Sequence, residues 1–223
     1  DVGAELQDIE MIQFHPTGMV YPESAEGILV TESVRGEGGI LLNSKGERFM
    51  KRYDPKKMEL STRDIVARAI FNEIKKGKGT KKGGVWLDIS HKPREFIEKK
   101  LPKMIDKFKD FADIDISKEK MEVAPTAHYA IGGVRVDPES CHTNIQGLFA
   151  AGEITAGVHG ANRLGGNSLI DILVFGKKAG KYAAVYSKKN RLQQIPDKVI
   201  RKELSILTAP FMKRKGIRPI EIN

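Results

Sequence analysis

Two glycine-rich turns in the second half of the chain constrain its fold more than any other feature. They are His128-Tyr-Ala-Ile-Gly-Gly133 and Gly160-Ala-Asn-Arg-Leu-Gly-Gly-Asn-Ser168. Glycine lets main-chain N–H groups come close to a ligand, and arginine presents a flat, charged fork of donors that matches a carboxylate. The turns therefore indicate either a site for a small dianion beside a cofactor, or tight turns whose histidine is satisfied in a core.

The composition is that of a globular protein with one sizeable core or two small domains. The chain has 223 residues, of which 40% are hydrophobic and 30% are charged. No apolar run approaches the length that spans a bilayer. The single cysteine, Cys141, excludes an internal disulfide and a cysteine-based zinc cluster. The five histidines are scattered without metal-ligand spacing, so no metal site is predicted.

The net charge of +9 raises the question of a nucleic-acid partner. The excess lies in three lysine-rich pieces with few aromatic residues among them, at positions 75–82, 99–103 and 213–215. Such pieces are more typical of a solvated surface. No nucleic-acid binding is predicted.

Apolar runs between turn residues predict strands. The predicted segments are the strand Ile9–Phe14, which ends in a turn at His15–Gly18, the hairpin Ile40–Phe49 and the buried strand Val85–Ile89. Arg48 and Arg52 follow the turn of the hairpin and are predicted to lie on a solvated face.

Apolar residues at helical spacing predict helices. Ser61 or Thr62 can cap the first of them, which puts Arg63 in a first turn, where a cation opposes the helix dipole. Arg63 is therefore expected either to pair with a carboxylate or to have a role other than helix stability. The other predicted helices are residues 93–109, kinked or divided at Pro102, residues 169–186, and residues 198–209, which stop before Pro210.

Six motifs occur in one order along roughly residues 1–190. They are Gln13-Phe-His-Pro-Thr17, Thr31-Glu-Ser-Val-Arg-Gly-Glu-Gly-Gly39, Ser61-Thr-Arg-Asp64, Pro125-Thr-Ala-His-Tyr-Ala-Ile-Gly-Gly133, Ala150-Ala-Gly-Glu153 and Gly160-Ala-Asn-Arg-Leu-Gly-Gly-Asn-Ser-Leu169. Together they resemble the flavoprotein subunit of the succinate dehydrogenase and fumarate reductase family. Several of the motifs are long, so the resemblance is more specific than a lone Gly-x-Gly-x-x-Gly.

The resemblance implies a fold of mixed α/β and α+β character, in which a capping domain is inserted into a Rossmann-like FAD-binding domain. It places residues 1–19 in the FAD-binding domain, 20–122 in the capping domain, 123–190 again in the FAD-binding domain, and 191–223 at the start of a helical region. The dinucleotide-binding half that precedes these parts in the family is not in this sequence. The chain is therefore expected to be a fragment that neither holds FAD tightly nor turns over by itself.

The resemblance also implies an FAD-dependent oxidoreductase that interconverts succinate and fumarate. Matched position by position, the implied site residues are Arg63 as proton donor, Glu32 and Arg35 as proton relay, His15 and Thr31 for one substrate carboxylate, His128 and Arg163 for the other, and Glu153, Ser168 and Leu169 for FAD. Arginine is a poor acid in solution. It suits the task if a relay replaces its proton and its charge stabilises developing negative charge.

The family further implies a partner chain that carries iron–sulfur clusters, an iron–sulfur subunit. The implied location is the cytoplasm, or the cytoplasmic face of a membrane through partner subunits. L-aspartate oxidase has similar motifs, and Arg48–Met50 and Leu87–His91 suit it, whereas Gly165–Leu169 and Asp171–Gly176 are more similar to the succinate and fumarate enzymes. A basic binding module or a non-catalytic subunit-interaction fragment is the alternative of another class.

Overall fold

The structure of the protein, a computed structural model, describes residues 2–191 and 194–212. The chain divides into two compact units, Asp1–Ala183 and Ala184–Asn223. The first unit contains the strands of the described residues and all the predicted site residues. The second contains the last turns of one long helix and a further helix.

Two antiparallel sheets organise the first unit. The strands along the chain are β1 (Leu6–Gln7), β2 (Ile12–Met19), β3 (Ile40–Leu42), β4 (Val85–Asp88), β5 (Met121–Ala130) and β6 (Gly133–Val134). The larger sheet has the order β2-β5-β4-β3, and the smaller pairs β1 with β6. The chain therefore passes directly from β5 in the larger sheet to β6 in the smaller one.

Seven α-helices lie within the described residues. They are α1 (Ser33–Gly36), α2 (Met50–Tyr53), α3 (Arg63–Glu73), α4 (Arg94–Lys100), α5 (Pro102–Ala112), α6 (Asn167–Lys189) and α7 (Asp197–Met212). Short 3-10 turns form at Glu23–Ala25 and Met58–Leu60, and a π-helical turn, Ile74–Lys78, follows α3. Of the helices described, none is both long enough and apolar enough to cross a membrane.

The hydrophobic core lies between Met19 and Val123 in the sequence. α3 buries Val66, Ala69 and Ile70, which recur at helical spacing and pack with apolar residues of the larger sheet. Apart from Met19 and Val123, this core thus falls within the segment predicted to be the capping domain, residues 20–122. The domain boundaries themselves stay a prediction.

Several predicted elements are confirmed. β3 begins the predicted hairpin, which closes through a bridge between Leu42 and Arg48, and β4 lies where a buried strand was expected. The helical segment 93–109 divides at Leu101, and α5 opens with Pro102. The first turn of a helix tolerates proline because its missing N–H would have no partner there.

The predicted turn at His15–Gly18 is wrong, because β2 continues through these residues to Met19. Pairing of β2 with β5 shifts register between His15 and Gly18. Such an irregularity accommodates Pro16, which has no N–H for the ladder. The consequence for the site is that His15 lies within a sheet and not on a loop.

One further expectation, the end of the last helix, is also wrong. α7 runs to Met212 and contains Pro210, where a stop was predicted. Arg48 and Arg52 are exposed, as predicted. Each also binds a buried carboxylate, that of Glu59 or Glu73.

Candidate active site

The predicted proton donor, Arg63, is the first residue of α3 and binds Glu32. Its Nε and Nη2 each lie 2.9 Å from Oε2 of Glu32. Its Nη1 is buried and has no hydrogen-bond partner. The cation in the first turn of the helix is thus matched by a carboxylate, and one nitrogen of the guanidinium fork is left for another acceptor.

The predicted relay residues lie beside this pair. Arg35, in α1, is 2% exposed, and its Nη2 lies 3.9 Å from Oε1 of Glu32. Glu32 therefore stands between two guanidinium groups, with one oxygen toward each. Burial lowers the pKa of Arg35; the charge of Glu32 opposes this shift and that of Arg63 adds to it. A lowered pKa makes arginine a better proton donor than it is in water.

His15, on β2, is 1% exposed. Its Nδ1 lies 3.2 Å from the backbone nitrogen of Thr17 and 3.1 Å from the carbonyl oxygen of the same residue, so this nitrogen anchors the ring. Burial, followed by the charges of Arg63 and Arg35, lowers the pKa of His15 to about 3. At physiological pH the side chain is neutral, and it can offer a carboxylate a hydrogen bond but no charge.

The second glycine-rich turn brings Arg163 against His128. Nη2 of Arg163 donates to Nε2 of His128 at 3.1 Å, and Nη1 donates to Oγ of Ser168 at 3.2 Å. Because a guanidinium only donates, Nε2 of His128 is the acceptor and the ring carries its proton on Nδ1. Burial, then the charges of Arg63 and Arg163, lower the pKa of His128, in keeping with this neutral form.

The pairing of β2 with β5 joins the two histidines. Their ring centroids are 5.4 Å apart in an edge-to-face arrangement. Gln13, also on β2, donates from Nε2 to Oδ1 of Asn162 at 2.8 Å and to the carbonyl oxygen of Arg163 at 2.6 Å. The strand therefore positions His15 and holds the loop that carries Arg163.

Glu32, Arg63, Arg163 and Gly165 line a cleft of about 160 Å³. Arg35, His15 and His128 are not among the residues that line it. A Cβ atom on Gly165 would lie 3.6 Å from Oε2 of Glu32, so the loop backbone directly faces the ion pair. The charged side chains of the lining are two guanidinium groups and one carboxylate. This excess of positive charge favours a small anion.

Thr31 lies next to Glu32 but is not among the residues that line this cleft. Its hydroxyl donates to Oγ of Ser33 at 3.3 Å and accepts from the backbone N–H of that residue at 3.4 Å. Its role in holding a substrate carboxylate, like the other residue roles, stays a prediction.

The residues predicted for FAD lie on an open face. Glu153 is exposed, and its Oε1 accepts from the backbone N–H of Ala130 at 2.9 Å. Ser168 and Leu169 are in the first turn of α6, at the positive end of the helix dipole, which suits an electron-rich ligand atom. The backbone N–H of Leu169 donates to the carbonyl oxygen of Gly166 at 3.1 Å, and its side chain is 64% exposed. This combination of an exposed apolar side chain, a helix N-terminus and a carboxylate fits a flavin.

Sequence reasoning missed a series of contacts that begins at Arg163 and runs through Tyr129 and His159 to Asp171. The guanidinium carbon of Arg163 lies 4.1 Å from the ring centroid of Tyr129. The hydroxyl of Tyr129 lies 3.3 Å from Nε2 of His159, which in turn lies 3.3 Å from Oδ2 of Asp171. A signal was present in the sequence, since Asp171 is a lone carboxylate in the apolar stretch Leu169–Phe175.

Comparison with known proteins identifies the family of the chain. A sequence model described as the FAD binding domain matches residues 1–169. The chain belongs to the FAD-binding domain family. FAD is the cofactor of this family, and the residues of the open face are consistent with it.

Proteins similar to this FAD-binding chain include subunits of fumarate reductases. The chain is 58% identical over 220 residues to one subunit of the CoM/CoB fumarate reductase of Methanothermobacter marburgensis, covering 99% of this chain and 39% of that protein. It is 50% identical over 190 residues to the 8-methylmenaquinol:fumarate reductase flavoprotein subunit of Wolinella succinogenes, covering 83% and 30%.

Solved structures of such flavoproteins share the fold. A quinol–fumarate reductase superposes with a TM-score of 0.84 at 36% identity and covers 97% of this chain and 39% of its own. Mycobacterium smegmatis Sdh1 in its apo form gives a TM-score of 0.71 at 48% identity, with 98% and 36% covered. The chain thus spans 30–39% of the length of these relatives.

Proposed function

We propose that the complete gene product containing this sequence interconverts fumarate and succinate with FAD. The observation that carries the proposal is the arrangement of Arg63, Glu32 and Arg35 beside a cleft that Arg163 also lines. It combines a proton donor with its relay and a carboxylate-binding group. The names of the similar subunits support the same reaction.

The substrate would be held by its two carboxylates. Arg163, with His128, binds one of them, and His15, with Thr31, binds the other. Neutral histidines act here as hydrogen-bond donors, while the guanidinium supplies charge and a planar fork. Holding both ends orients the central carbon–carbon bond, and such orientation can lower a barrier by roughly 7–11 kcal/mol at best.

Proton transfer is the task of Arg63. In fumarate reduction it delivers a proton to one alkene carbon, while its charge stabilises the negative charge that develops on the adjacent carboxylate. Glu32 then passes a proton from Arg35 to Arg63, which restores the donor. Bound FAD, once reduced, would supply the hydride for the other alkene carbon and return to its oxidised form.

Electrons would come from an iron–sulfur partner subunit. Two of the similar proteins are named as subunits, which supports an assembly with other chains. The location that follows is the cytoplasm, or the cytoplasmic membrane face through such partners.

The test is an assay of the complete gene product loaded with FAD, with fumarate and a reduced viologen dye, with succinate and an oxidising dye, and with L-aspartate. We expect turnover of fumarate or succinate and none of L-aspartate. Turnover of L-aspartate alone would instead identify an L-aspartate oxidase, and turnover of none would refute the proposal.

The residues 1–223 expressed by themselves should bind FAD only weakly. Residues 1–223 do not include the implied dinucleotide-binding half of the cofactor site. They would therefore contact only part of the FAD molecule. Gel filtration of the purified chain with FAD should separate the flavin absorbance from the protein. Flavin that stays with the protein would contradict this expectation.

A further inference from the structure

The backbone of a buried glutamate, Glu59, contacts the predicted relay residue Arg35. The backbone carbonyl oxygen of Glu59 accepts from Nη1 of Arg35 at 2.6 Å, whereas Nε and Nη2 of Arg35 are buried without a hydrogen-bond partner among the described residues. Arg35 is 2% exposed and Glu59 is 3% exposed. The position of the Arg35 guanidinium is thus tied to the position of the 3-10 turn that contains Glu59.

The side chain of Glu59 fixes that turn. Its Oε1 accepts from the backbone N–H of Leu41 at 3.1 Å and from Nε of Arg48 at 2.9 Å, and its Oε2 accepts from Nη2 of Arg48 at 2.7 Å. A two-pronged guanidinium–carboxylate contact holds both groups in one orientation. Through Leu41 on β3 the turn is joined to the larger sheet.

The charge of Glu59 also acts on Arg35. A buried guanidinium without a nearby anion would be costly, because burial disfavours the charged form. The charged and titratable groups that face Arg35 are Glu32, Arg63 and Glu59, with the neutral ring of His15 nearby. Glu32 and Glu59 favour its cationic form, and Arg63 opposes it.

We propose that Glu59 is a positioning residue for proton transfer, which sets the place and the charge of Arg35 through its carbonyl and its Arg48-bound carboxylate. The inference rests on the proposed function, because Arg35 matters to turnover only if it resupplies the proton donor. Neither Glu59 nor Arg48 lines the cleft that Arg63 and Arg163 share.

The same domain contains a matched control. Glu73 is 1% exposed and accepts from Nη2 of Arg52 at 2.9 Å, from Asn43 and from Tyr53. It is a buried carboxylate bound to a half-exposed arginine, as Glu59 is. It lies at the opposite end of α3 from Arg63, about 15 Å along the helix at the usual rise per residue.

The experiment compares Glu59→Gln and Glu73→Gln in the complete gene product loaded with FAD. We expect Glu59→Gln to lower kcat for fumarate about 10- to 100-fold, as a misplaced relay group does, with KM nearly unchanged. The dissociation constant of malonate, measured by the change in flavin absorbance, should also stay unchanged. Loss of the negative charge lowers the pKa of Arg35 further, so the alkaline fall in kcat should move to lower pH.

If Glu59→Gln does not fold, Arg48→Met and its control Arg52→Met test the same inference. Arg48→Met should lower kcat with malonate affinity unchanged, and Arg52→Met should leave kcat at the wild-type value. Suppose that the wild type turns over fumarate. The inference is then wrong if kcat falls equally in the Glu59 and Glu73 variants, or equally in the Arg48 and Arg52 variants. A wild type that turns over neither fumarate nor succinate would refute the proposed function and the inference with it.

Discussion

Arg63 binds a single oxygen of Glu32 with two of its nitrogens, Nε and Nη2, each at 2.9 Å. The other oxygen of Glu32 faces Arg35. The arrangement leaves Nη1 of Arg63 without a hydrogen-bond partner in a buried place. An unsatisfied buried donor costs free energy. A ligand that accepts a hydrogen bond from Nη1 would remove this cost when it binds.

Replacement of Arg63 by alanine should abolish most turnover. We expect kcat for fumarate to fall by about 10²–10⁴-fold, the usual contribution of a positioned proton donor. Arg68→Ala is the matched control, because Arg68 is on the same helix and pairs with Asp64, but its side chain is 76% exposed. Steady-state kinetics of both variants test the assignment, and unchanged turnover in Arg63→Ala would refute it.

Arg163→Lys should weaken substrate binding more than it slows the reaction. Lysine keeps the charge but cannot contact His128 and Ser168 with two nitrogens of a planar fork. Loss of a charge-assisted hydrogen bond predicts a rise in KM for fumarate of about 10- to 100-fold. Arg135→Lys, at a site 69% exposed, should have no effect, and equal KM values for both variants would show that Arg163 does not hold the substrate.

The ring of Tyr129 should contribute more to substrate binding than its hydroxyl does. The ring lies under the guanidinium of Arg163, and a cation–π contact of about 0.5–2 kcal/mol corresponds to a KM change of about 3- to 30-fold. Tyr129→Leu should show this change, and Tyr129→Phe should show little of it because the ring is kept. The reverse ranking would indicate that the hydroxyl and its contact with His159 position the arginine.

His15 should make the protein less stable in acid. Its pKa is about 3 in the folded protein against 6.5 in the unfolded chain, so the unfolded state binds an extra proton below pH 6.5. The free energy of unfolding should therefore fall by about 2 kcal/mol more between pH 7 and pH 5 in the wild type than in His15→Gln. Urea unfolding at both pH values measures the difference, and parallel pH dependence would contradict the neutral, buried histidine.

Many residues of the candidate site could be predicted because they belong to local sequence motifs. Arg63 was singled out by its position in the first turn of a helix, and His128 and Arg163 by the glycine-rich turns around them. The hairpin at β3 and the break at Pro102 followed from turn residues and from the missing N–H of proline. The path of β2 through Pro16 did not, because a register shift against β5 overrides the local turn preference.

The supporting residues were not predictable, because their partners are distant in the chain. Arg48 was assigned to a solvated face, and nothing near it in sequence shows that Glu59 is buried within its reach. Tyr129 and Asp171 are likewise joined through His159 only in the folded protein.

The sequence by itself determined the residue types of the site, the order of its motifs and the resemblance to flavoproteins, since these depend on local spacing. Only the tertiary structure decided that Glu32 lies between two arginines, that His15 is neutral and that Glu59 holds Arg35. The physical reason is that charge, burial and pKa depend on which groups lie within a few ångströms, and folding sets those distances between segments far apart in the chain.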